Sequence, residues 1–338
     1  MIMVQLTMAK AVNEGLRRAM ADDPKVLVMG EDIGKLGGVF RVTDGLLTEF
    51  GAARVIDTPL AESGIMGAAV GLAFRGFRPV VEIQFDGFVY PAFDLIVCQV
   101  AKMHYRTRGN VKMPITIRIP WAGGVGAAEH HSESPEAYFV HTSGLRVVAV
   151  SNPQDAYLML RQAIASDDPV VYFEPKRLYH SKGDVELDIH LADAPPMGLA
   201  RVAREGSDVT LLTYGAQVST ALDAATAAED DGISIEVIDL RSISPVDYRT
   251  VTASVRKTGR VVVTHEAARE AGVGAELIAS VTEKCFNYLE AAPVRVTGHD
   301  IPYPPAKLEK YHLPDLDRIL DAVDRVLDRP NSLAGVEL

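Results

Sequence analysis

The 338-residue chain has few cysteines, fewer basic than acidic residues, and no long apolar run. Its two cysteines, Cys98 and Cys285, lie far apart and outside any Cys-x-x-Cys or Cys/His spacing, which argues against a disulfide framework or a structural zinc site. The 34 basic and 45 acidic residues give a net charge of −11, which argues against a broad nucleic-acid or anionic-membrane surface. No segment approaches the roughly 18 apolar residues of a membrane span, and the N-terminus lacks a secretory-signal pattern. We therefore expect a cytoplasmic protein that binds neither membrane nor nucleic acid.

Short apolar strands alternate with helical patterns over most of the chain. This alternation favours an α/β fold with a mostly parallel sheet flanked by helices. A polar stretch containing Pro195 and Pro196 keeps no sustained period, so we predict a linker at residues 181–205. The pattern then predicts a first α/β domain at residues 1–180 and a smaller one at residues 206–338.

Glu62 precedes a predicted helix at residues 63–75 that is rich in glycine and alanine. Each glycine costs a helix about 1 kcal/mol relative to alanine, so several together indicate that a ligand or another backbone approaches closely. The carboxylate of Glu62 has two interpretations. It could simply be stabilised by the helix N-terminus. It could also be a partly desolvated group that holds or delivers a proton beside a bound ligand.

A histidine loop at residues 129–136, EHHSESPE, concentrates ionisable groups after a glycine-rich segment. Neutral histidine is suited to proton transfer near pH 7, although a plain solvated loop is the alternative. Adjacent His130 and His131 point in different directions, which argues against a two-histidine metal site. A second cluster, His265 and Glu266, ends a predicted strand, where it could face a ligand crevice or be structural.

Several longer stretches resemble one known family nearly from end to end. They include VLVMGEDIGKLGGVFRVTDGL, DTPLAESGIMGAAVGLAFRGFRPVVEIQF, AAEHHSESPEAYFVH, DPVVYFEPKRLY and VVVTHEA. With these motifs the chain resembles the beta subunit of the thiamine-diphosphate-dependent decarboxylase component of 2-oxo acid dehydrogenases. That family is transketolase-like, so the resemblance implies a pyrimidine-binding domain at residues 1–180 and a transketolase C-terminal domain at residues 206–338.

The resemblance implies an enzyme that is active only with a second chain. The family's diphosphate and Mg²⁺ motif begins Gly-Asp-Gly, and the sequence has no such tripeptide. The beta chain would then hold the aminopyrimidine half of thiamine diphosphate, and an alpha subunit would hold the diphosphate and Mg²⁺. Two alpha and two beta chains would form the complex. It would decarboxylate a 2-oxo acid and transfer the acyl group to the lipoyl group of an acyltransferase core, which would dock on the C-terminal domains.

The resemblance also assigns roles to particular residues. Glu62 matches the glutamate that hydrogen-bonds the pyrimidine ring nitrogen and so promotes the proton transfers of the cofactor. Leu60, Gln84 and Phe88 match pyrimidine-pocket positions. His131 matches the histidine that donates a proton to the lipoyl sulfur, and a one-residue shift in the alignment would assign that role to its neighbour.

Some members of the resembled family hold a structural K⁺ with backbone carbonyls and a threonine hydroxyl. Ile115, Thr116, Ala163 and Asp168 fall near the matching positions. Oxygen ligands suit a hard cation, but the sequence does not choose which one. Ser166 stands where some relatives have aspartate.

Within the resembled family, HHSESPEA and FEPKRLY are most similar to branched-chain members, with pyruvate dehydrogenase as the alternative. Two other functions stay open. One is half of a split transketolase-like enzyme, which would need no lipoyl transfer. The other is a non-catalytic scaffold that keeps the fold. Glu62 and the histidine loop argue against a scaffold, because a scaffold needs neither.

Overall fold

The computed structural model of the chain describes residues 3–329, in which strands and helices alternate. The strands are β1 (Met3–Thr7), β2 (Val26–Gly30), β3 (Val55–Asp57), β4 (Arg78–Glu82), β5 (Thr116–Trp121), β6 (Arg146–Ala149), β7 (Val170–Pro175), β8 (Lys182–Glu186), β9 (Arg201–Arg204), β10 (Val209–Thr213), β11 (Ile235–Asp239), β12 (Ser242–Ser244), β13 (Val261–His265) and β14 (Val294–Thr297). The helices are α1 (Met8–Asp22), α2 (Leu46–Phe50), α3 (Glu62–Phe74), α4 (Tyr90–Leu95), α5 (Met103–Arg106), α6 (Glu136–Val140), α7 (Pro153–Ala165), α8 (Gln217–Ala228), α9 (Tyr248–Thr258), α10 (Val273–Cys285), α11 (Glu309–His312) and α12 (Leu316–Val326).

Helix α1 shows how local sequence signals place an element. The side chain of Thr7 accepts a hydrogen bond from the backbone N–H of Lys10 and so caps the helix. Val12, Leu16 and Met20 recur at helical spacing and are buried against the neighbouring helix α7. Their spacing predicts a helix here, and the structure confirms it.

The first sheet has seven strands in the order β12-β6-β7-β5-β4-β2-β3, and every neighbouring pair is parallel except β12–β6. Every residue of β2, β5 and β7 is buried. This is typical of parallel strands that helices cover on both faces. The predicted α/β class with a mostly parallel sheet is therefore confirmed.

The second sheet has five strands in the order β14-β13-β10-β11-β9, of which only β9 is antiparallel to its neighbour. Helices α8 and α12 pack on it and bury an apolar cluster that includes Leu211, Ala225 and Val323. Among the helices of residues 3–329, none is long and apolar enough to cross a membrane.

The two halves of the chain are joined through pairing and packing. Strand β12, which follows the second sheet's β11, adds to the edge of the first sheet beside β6. One apolar core includes Trp121 and Phe173 from the first half and Tyr214 and Leu240 from the second. The segment predicted as a linker, residues 181–205, contains strands β8 and β9, and β8 pairs with β1 at the N-terminus.

Candidate active site at the carboxyl edge of the first sheet

The carboxyl ends of four neighbouring parallel strands, β3, β2, β4 and β5, meet at one edge of the first sheet. In open α/β sheets this edge is where ligands bind. The segments that follow these strands carry the residues predicted for the cofactor and for catalysis. They are Leu60, Glu62, Gln84, Phe88 and His131.

Glu62 is the first residue of helix α3 and is only 8% exposed. The helix N-terminus favours its negative charge, as the structural interpretation expects. Leu60, two residues earlier, is 80% exposed, so the carboxylate lies just beneath an open surface. The position of Glu62 agrees with both interpretations, and its catalytic role stays a prediction.

Glu31 is a second buried carboxylate, and the sequence analysis did not identify it. It follows β2, is 6% exposed, and lies near the backbone of Ala61 and the carboxylate of Glu62. Burial raises the pKa of Glu31, and the negative charge of Glu62 raises it further. An acidic residue immediately after a fully apolar strand was the signal that could have identified it.

Helix α3 leaves an exposed face of small residues, Gly64, Gly67 and Gly71 among them. No atom lies within 4 Å of the position that a Cβ at Gly71 would take. The helix is apolar all around, which is typical of a helix buried on every side. Its exposed face therefore has the shape and polarity of a surface that another chain or a ligand covers.

His131 lies against two aromatic rings. Its ring centroid is 4.6 Å from that of Phe85 and 5.2 Å from that of Phe88, both in edge-to-face geometry. The side chain of His130 is 58% exposed, and its Nδ1 lies 3.5 Å from a carboxylate oxygen of Glu133. The structure thus places His131, and not its neighbour, beside Phe88.

Gln84 is half-buried in the segment that follows β4. Its side-chain N–H donates to the carboxylate of Asp32, in the segment that follows β2, at 3.3 Å. This bond crosses between two neighbouring strand ends and holds the amide at the edge of the site.

The histidine loop is packed, unlike a plain solvated loop. The backbone N–H of Ala122 donates to the carbonyl of Glu133 at 3.2 Å and closes the loop at its base. The buried hydroxyl of Ser132 donates to the carbonyl of Ala127 at 2.6 Å. Such compact loops with close ends are held by their own side chains.

A buried ion pair, Asp86 with Lys176, lies next to this loop and was not predicted. Both side chains are fully buried and joined by a hydrogen bond. Burial raises the pKa of Asp86 to about 6 and lowers the pKa of Lys176. Asp86 also accepts the backbone N–H of Gly87 at 2.9 Å, so the pair fixes the turn that carries Phe88.

The two residues of the His265 and Glu266 cluster are both buried and make contacts within the chain. His265 is fully buried, accepts the backbone N–H of Gly274 at 3.1 Å, and has its pKa lowered by burial to about 4. Glu266 lies 2.9 Å from the guanidinium of Arg177 and accepts the backbone N–H of Gly123 at 3.2 Å. These contacts join the two halves of the chain, and Glu266 also lines a cavity together with Glu129, Glu133 and Tyr303.

The residues at this edge fit the heterocyclic part of a cofactor. They combine a nearly buried carboxylate, a side-chain amide and an aromatic wall, which suit a flat ring with polar nitrogens. Within residues 3–329 there is no group of three or more His, Cys, Asp or Glu side chains that could hold a metal ion.

The four residues predicted near a potassium ion fit such a site in part. The buried hydroxyl of Thr116 has no hydrogen-bond partner among the described residues, so it is an unused oxygen. The carbonyls of Ile115 and Ala163 already accept backbone N–H groups, at 3.0 and 3.1 Å. The carboxylate of Asp168 is about half exposed and pairs with Arg146 at 3.2 Å.

Comparison with known proteins gives matches over nearly the whole chain. Residues 4–182 match the family model described as "Transketolase, pyrimidine binding domain", and residues 198–319 match "Transketolase, C-terminal domain". A solved structure, a split gene transketolase described as an inactive beta4 tetramer, superposes with a TM-score of 0.76 at 24% identity, covering 96% of this chain and 98% of that one. That likeness shows a shared fold.

The similar curated proteins carry two kinds of name. A pyruvate dehydrogenase E1 component subunit beta from Leifsonia xyli subsp. xyli is 58% identical over 322 residues, 95% of each chain. A 3-methyl-2-oxobutanoate dehydrogenase subunit beta from Mycobacterium tuberculosis is 58% identical over 326 residues, 96% of this chain and 93% of that one. A pyruvate dehydrogenase E1 component subunit beta from Staphylococcus aureus is 46% identical over 327 residues, 96% of this chain and all of that one.

Proposed function

This chain belongs to the transketolase-like beta subunits of 2-oxo acid dehydrogenases, and from this premise we propose that it serves a branched-chain 2-oxo acid dehydrogenase. With an alpha subunit it would decarboxylate the 2-oxo acid and pass the acyl group to the lipoyl group of an acyltransferase core. The similar protein named 3-methyl-2-oxobutanoate dehydrogenase subunit beta supports this substrate. Pyruvate is the alternative substrate, because the similar protein named pyruvate dehydrogenase E1 component subunit beta is also 58% identical to this chain.

The buried position of Glu62 beside an open surface is the observation that carries the proposal. The cofactor of this family is thiamine diphosphate, which supplies a nucleophilic carbon and an electron sink for the loss of CO₂. Glu62 would hold the proton at the pyrimidine ring nitrogen. Leu60, Gln84 and Phe88 would bind the ring and exclude water from it.

His131 would donate a proton to the lipoyl sulfur during acyl transfer. Its ring lies against Phe85 and Phe88 and is half-buried, so it is held in one place near the pyrimidine pocket. Histidine is suited to giving up a proton near neutral pH.

The alpha subunit would cover the exposed face of α3 and hold the diphosphate and Mg²⁺. Two alpha and two beta chains would make up the complex. The small residues of that face, such as Gly67 and Gly71, support this arrangement because they let another backbone approach closely.

Glu62→Gln in the reconstituted alpha/beta complex tests the catalytic assignment. We expect decarboxylation to slow by about 10²-fold or more, since general acid–base catalysis contributes about 10² to 10⁴. Glu276→Gln is the matched control, because Glu276 is exposed in the first turn of another helix. Normal decarboxylation by Glu62→Gln would remove the assignment.

Gly71→Leu tests the proposed subunit surface. Because no atom lies within 4 Å of a Cβ there, the isolated chain should fold normally but fail to copurify with the alpha subunit. Gly198 is equally open, so Gly198→Leu serves as the control and should assemble. An assembled, active Gly71→Leu complex would contradict the proposal.

Rates with 3-methyl-2-oxobutanoate, 4-methyl-2-oxopentanoate and pyruvate, measured side by side, test the substrate. A kcat/KM for pyruvate higher than those for the two branched-chain 2-oxo acids would show that the chain serves a pyruvate dehydrogenase instead. Sugar-phosphate transfer without acylation of a lipoyl domain would instead support the split-transketolase alternative. A reconstituted complex with no measurable activity would support a non-catalytic scaffold.

A potassium site near Ile115, Thr116, Ala163 and Asp168 is also proposed. The unpartnered hydroxyl of Thr116 supports it. The apparent Tm should then be higher in KCl than in NaCl at equal ionic strength, and Thr116→Val should abolish that difference. Equal Tm values in the two salts would contradict the site.

A further inference from the structure

The glycine-rich segment just before the histidine loop is bound by a carboxylate from the other half of the chain. Glu309, at the start of α11, accepts the backbone N–H of Gly124 at 2.8 Å and that of Gly126 at 3.2 Å. Gly124 and Gly126 have φ values of +87° and +71°, which favour glycine. Their N–H groups converge on one anion, as in a backbone nest.

Tyr303 completes this contact. Its hydroxyl donates to the carboxylate of Glu309 at 2.7 Å. Burial raises the pKa of Tyr303, and the hydrogen bond to Glu309 raises it further, so the phenol remains a donor at neutral pH. Hydrogen bonds to an ionised acceptor are shorter and stronger than neutral ones.

Two glycines of this segment lie in close contact with other parts of the chain. A Cβ at Gly123 would lie 1.8 Å from the hydroxyl of Tyr303, and one at Gly124 would lie 2.6 Å from the side chain of Arg177. The glycines therefore allow this segment to lie directly against Tyr303, which precedes α11, and against Arg177 of the first half.

This glycine-rich segment leads directly into the histidine loop, which carries His131. Because the N–H of Ala122 closes the loop on Glu133 and Ser132 is bonded to Ala127, a shift at Gly124 is transmitted around a small closed loop. We propose that Glu309 is a positioning residue, which sets where His131 stands for the lipoyl step. This inference rests on the proposed function of His131.

A residue that only joined the two domains would affect every activity alike. Two assays on the alpha/beta complex distinguish a residue that only joins the domains from one that positions His131. One measures decarboxylation with an artificial electron acceptor, which needs no lipoyl group. The other measures acylation of a lipoyl domain, which needs the proton from His131.

Glu309→Ala should lower kcat for lipoyl acylation by about tenfold or more, because small misplacements of a catalytic group are costly. Decarboxylation and the KM for the 2-oxo acid should stay within about twofold of wild type, since Glu62 lies on other elements. Glu309→Gln keeps an acceptor oxygen and should restore most of the acylation rate. Glu290→Gln, which alters a surface ion pair with Arg260, is the control.

Hydrogen exchange of residues 122–133 gives a readout that does not depend on activity, and Glu309→Ala should accelerate exchange there. His131→Ala separates the proton-donor role of His131 from the positioning role of Glu309. Normal acylation by His131→Ala would remove the proton-donor role. The hydrogen-exchange measurement would then be the only test of whether Glu309 positions the loop. Unchanged exchange in Glu309→Ala, or an equal fall in both activities, would overturn the inference.

Discussion

Gly87→Ala perturbs the contact between the turn that carries Phe88 and the loop that carries His131. A Cβ at Gly87 would lie 2.6 Å from the carbonyl oxygen of His130 and 2.7 Å from its Cα. The φ of Gly87 lies outside the left-handed region, so the backbone conformation itself suits alanine. The conflict is therefore purely one of space, and it involves backbone atoms.

The size of the effect follows from these distances. Ordinary contact begins at 3.4 Å, so the histidine loop must retreat by about 0.8 Å if the turn stays in place. A displacement of about 1 Å at a catalytic group costs on the order of 10²-fold in rate. If the loop does not move, the overpacking costs about 1 to 3 kcal/mol of stability. The methyl group must produce one effect or the other.

Thermal unfolding of the chain and lipoyl acylation by the alpha/beta complex measure the two effects. Gly198→Ala is the matched control, because no atom lies within 4 Å of the added Cβ. We expect the control to match wild type in rate and to gain at most about 1 kcal/mol from the lost flexibility of the unfolded chain. A Gly87→Ala variant with wild-type stability and acylation rate would refute the packing argument.

Two further changes test buried groups. Glu136 is fully buried and bonded to Trp121 and Tyr214, and burial raises its pKa to about 7. The native state holds this proton more tightly than the unfolded chain, so Glu136 lowers the free energy of unfolding as pH rises from about 4.5 to 7, by up to about 3 kcal/mol. Glu136→Gln should reduce this pH dependence of the free energy of unfolding, measured by denaturant titrations at several pH values. An unchanged pH dependence would contradict the raised pKa of Glu136. Lys176→Met should destabilise the chain by about 3 to 5 kcal/mol by leaving Asp86 unpaired. Adding Asp86→Leu should recover much of that loss, and strictly additive losses would show that the pair is not coupled.

The elements that the sequence predicted well are those with strong local periods. Helix α1 is the clearest example, because Val12, Leu16 and Met20 recur at helical spacing within a short stretch. Strands β1 and β8 were not predicted, because Met3 pairs with Glu186 and neither strand is well buried. Short, partly exposed strands with distant partners carry little local signal.

The residues of the candidate site also divide into those that the sequence identified and those that it missed. Glu62 and His131 stood out from their neighbours in the sequence, yet the residues alone left a structural and a catalytic interpretation open for each. The resemblance to a family supplied the roles. Glu31 follows an apolar strand, but charged residues commonly follow strands, so its position and that of Lys176 became informative only once their burial was known.

The sequence by itself determined the alternation of strands and helices, the class of the fold, and the two stretches proposed to carry the chemistry. These follow from spacing and residue type, which act over a few residues. Only the tertiary structure decided that His131 and not His130 faces Phe88, that Glu31 lies buried beside Glu62, and that Glu309 binds the glycine-rich segment before the histidine loop. Such contacts join residues far apart in the chain, and which way a side chain points at a junction depends on all the elements that pack there.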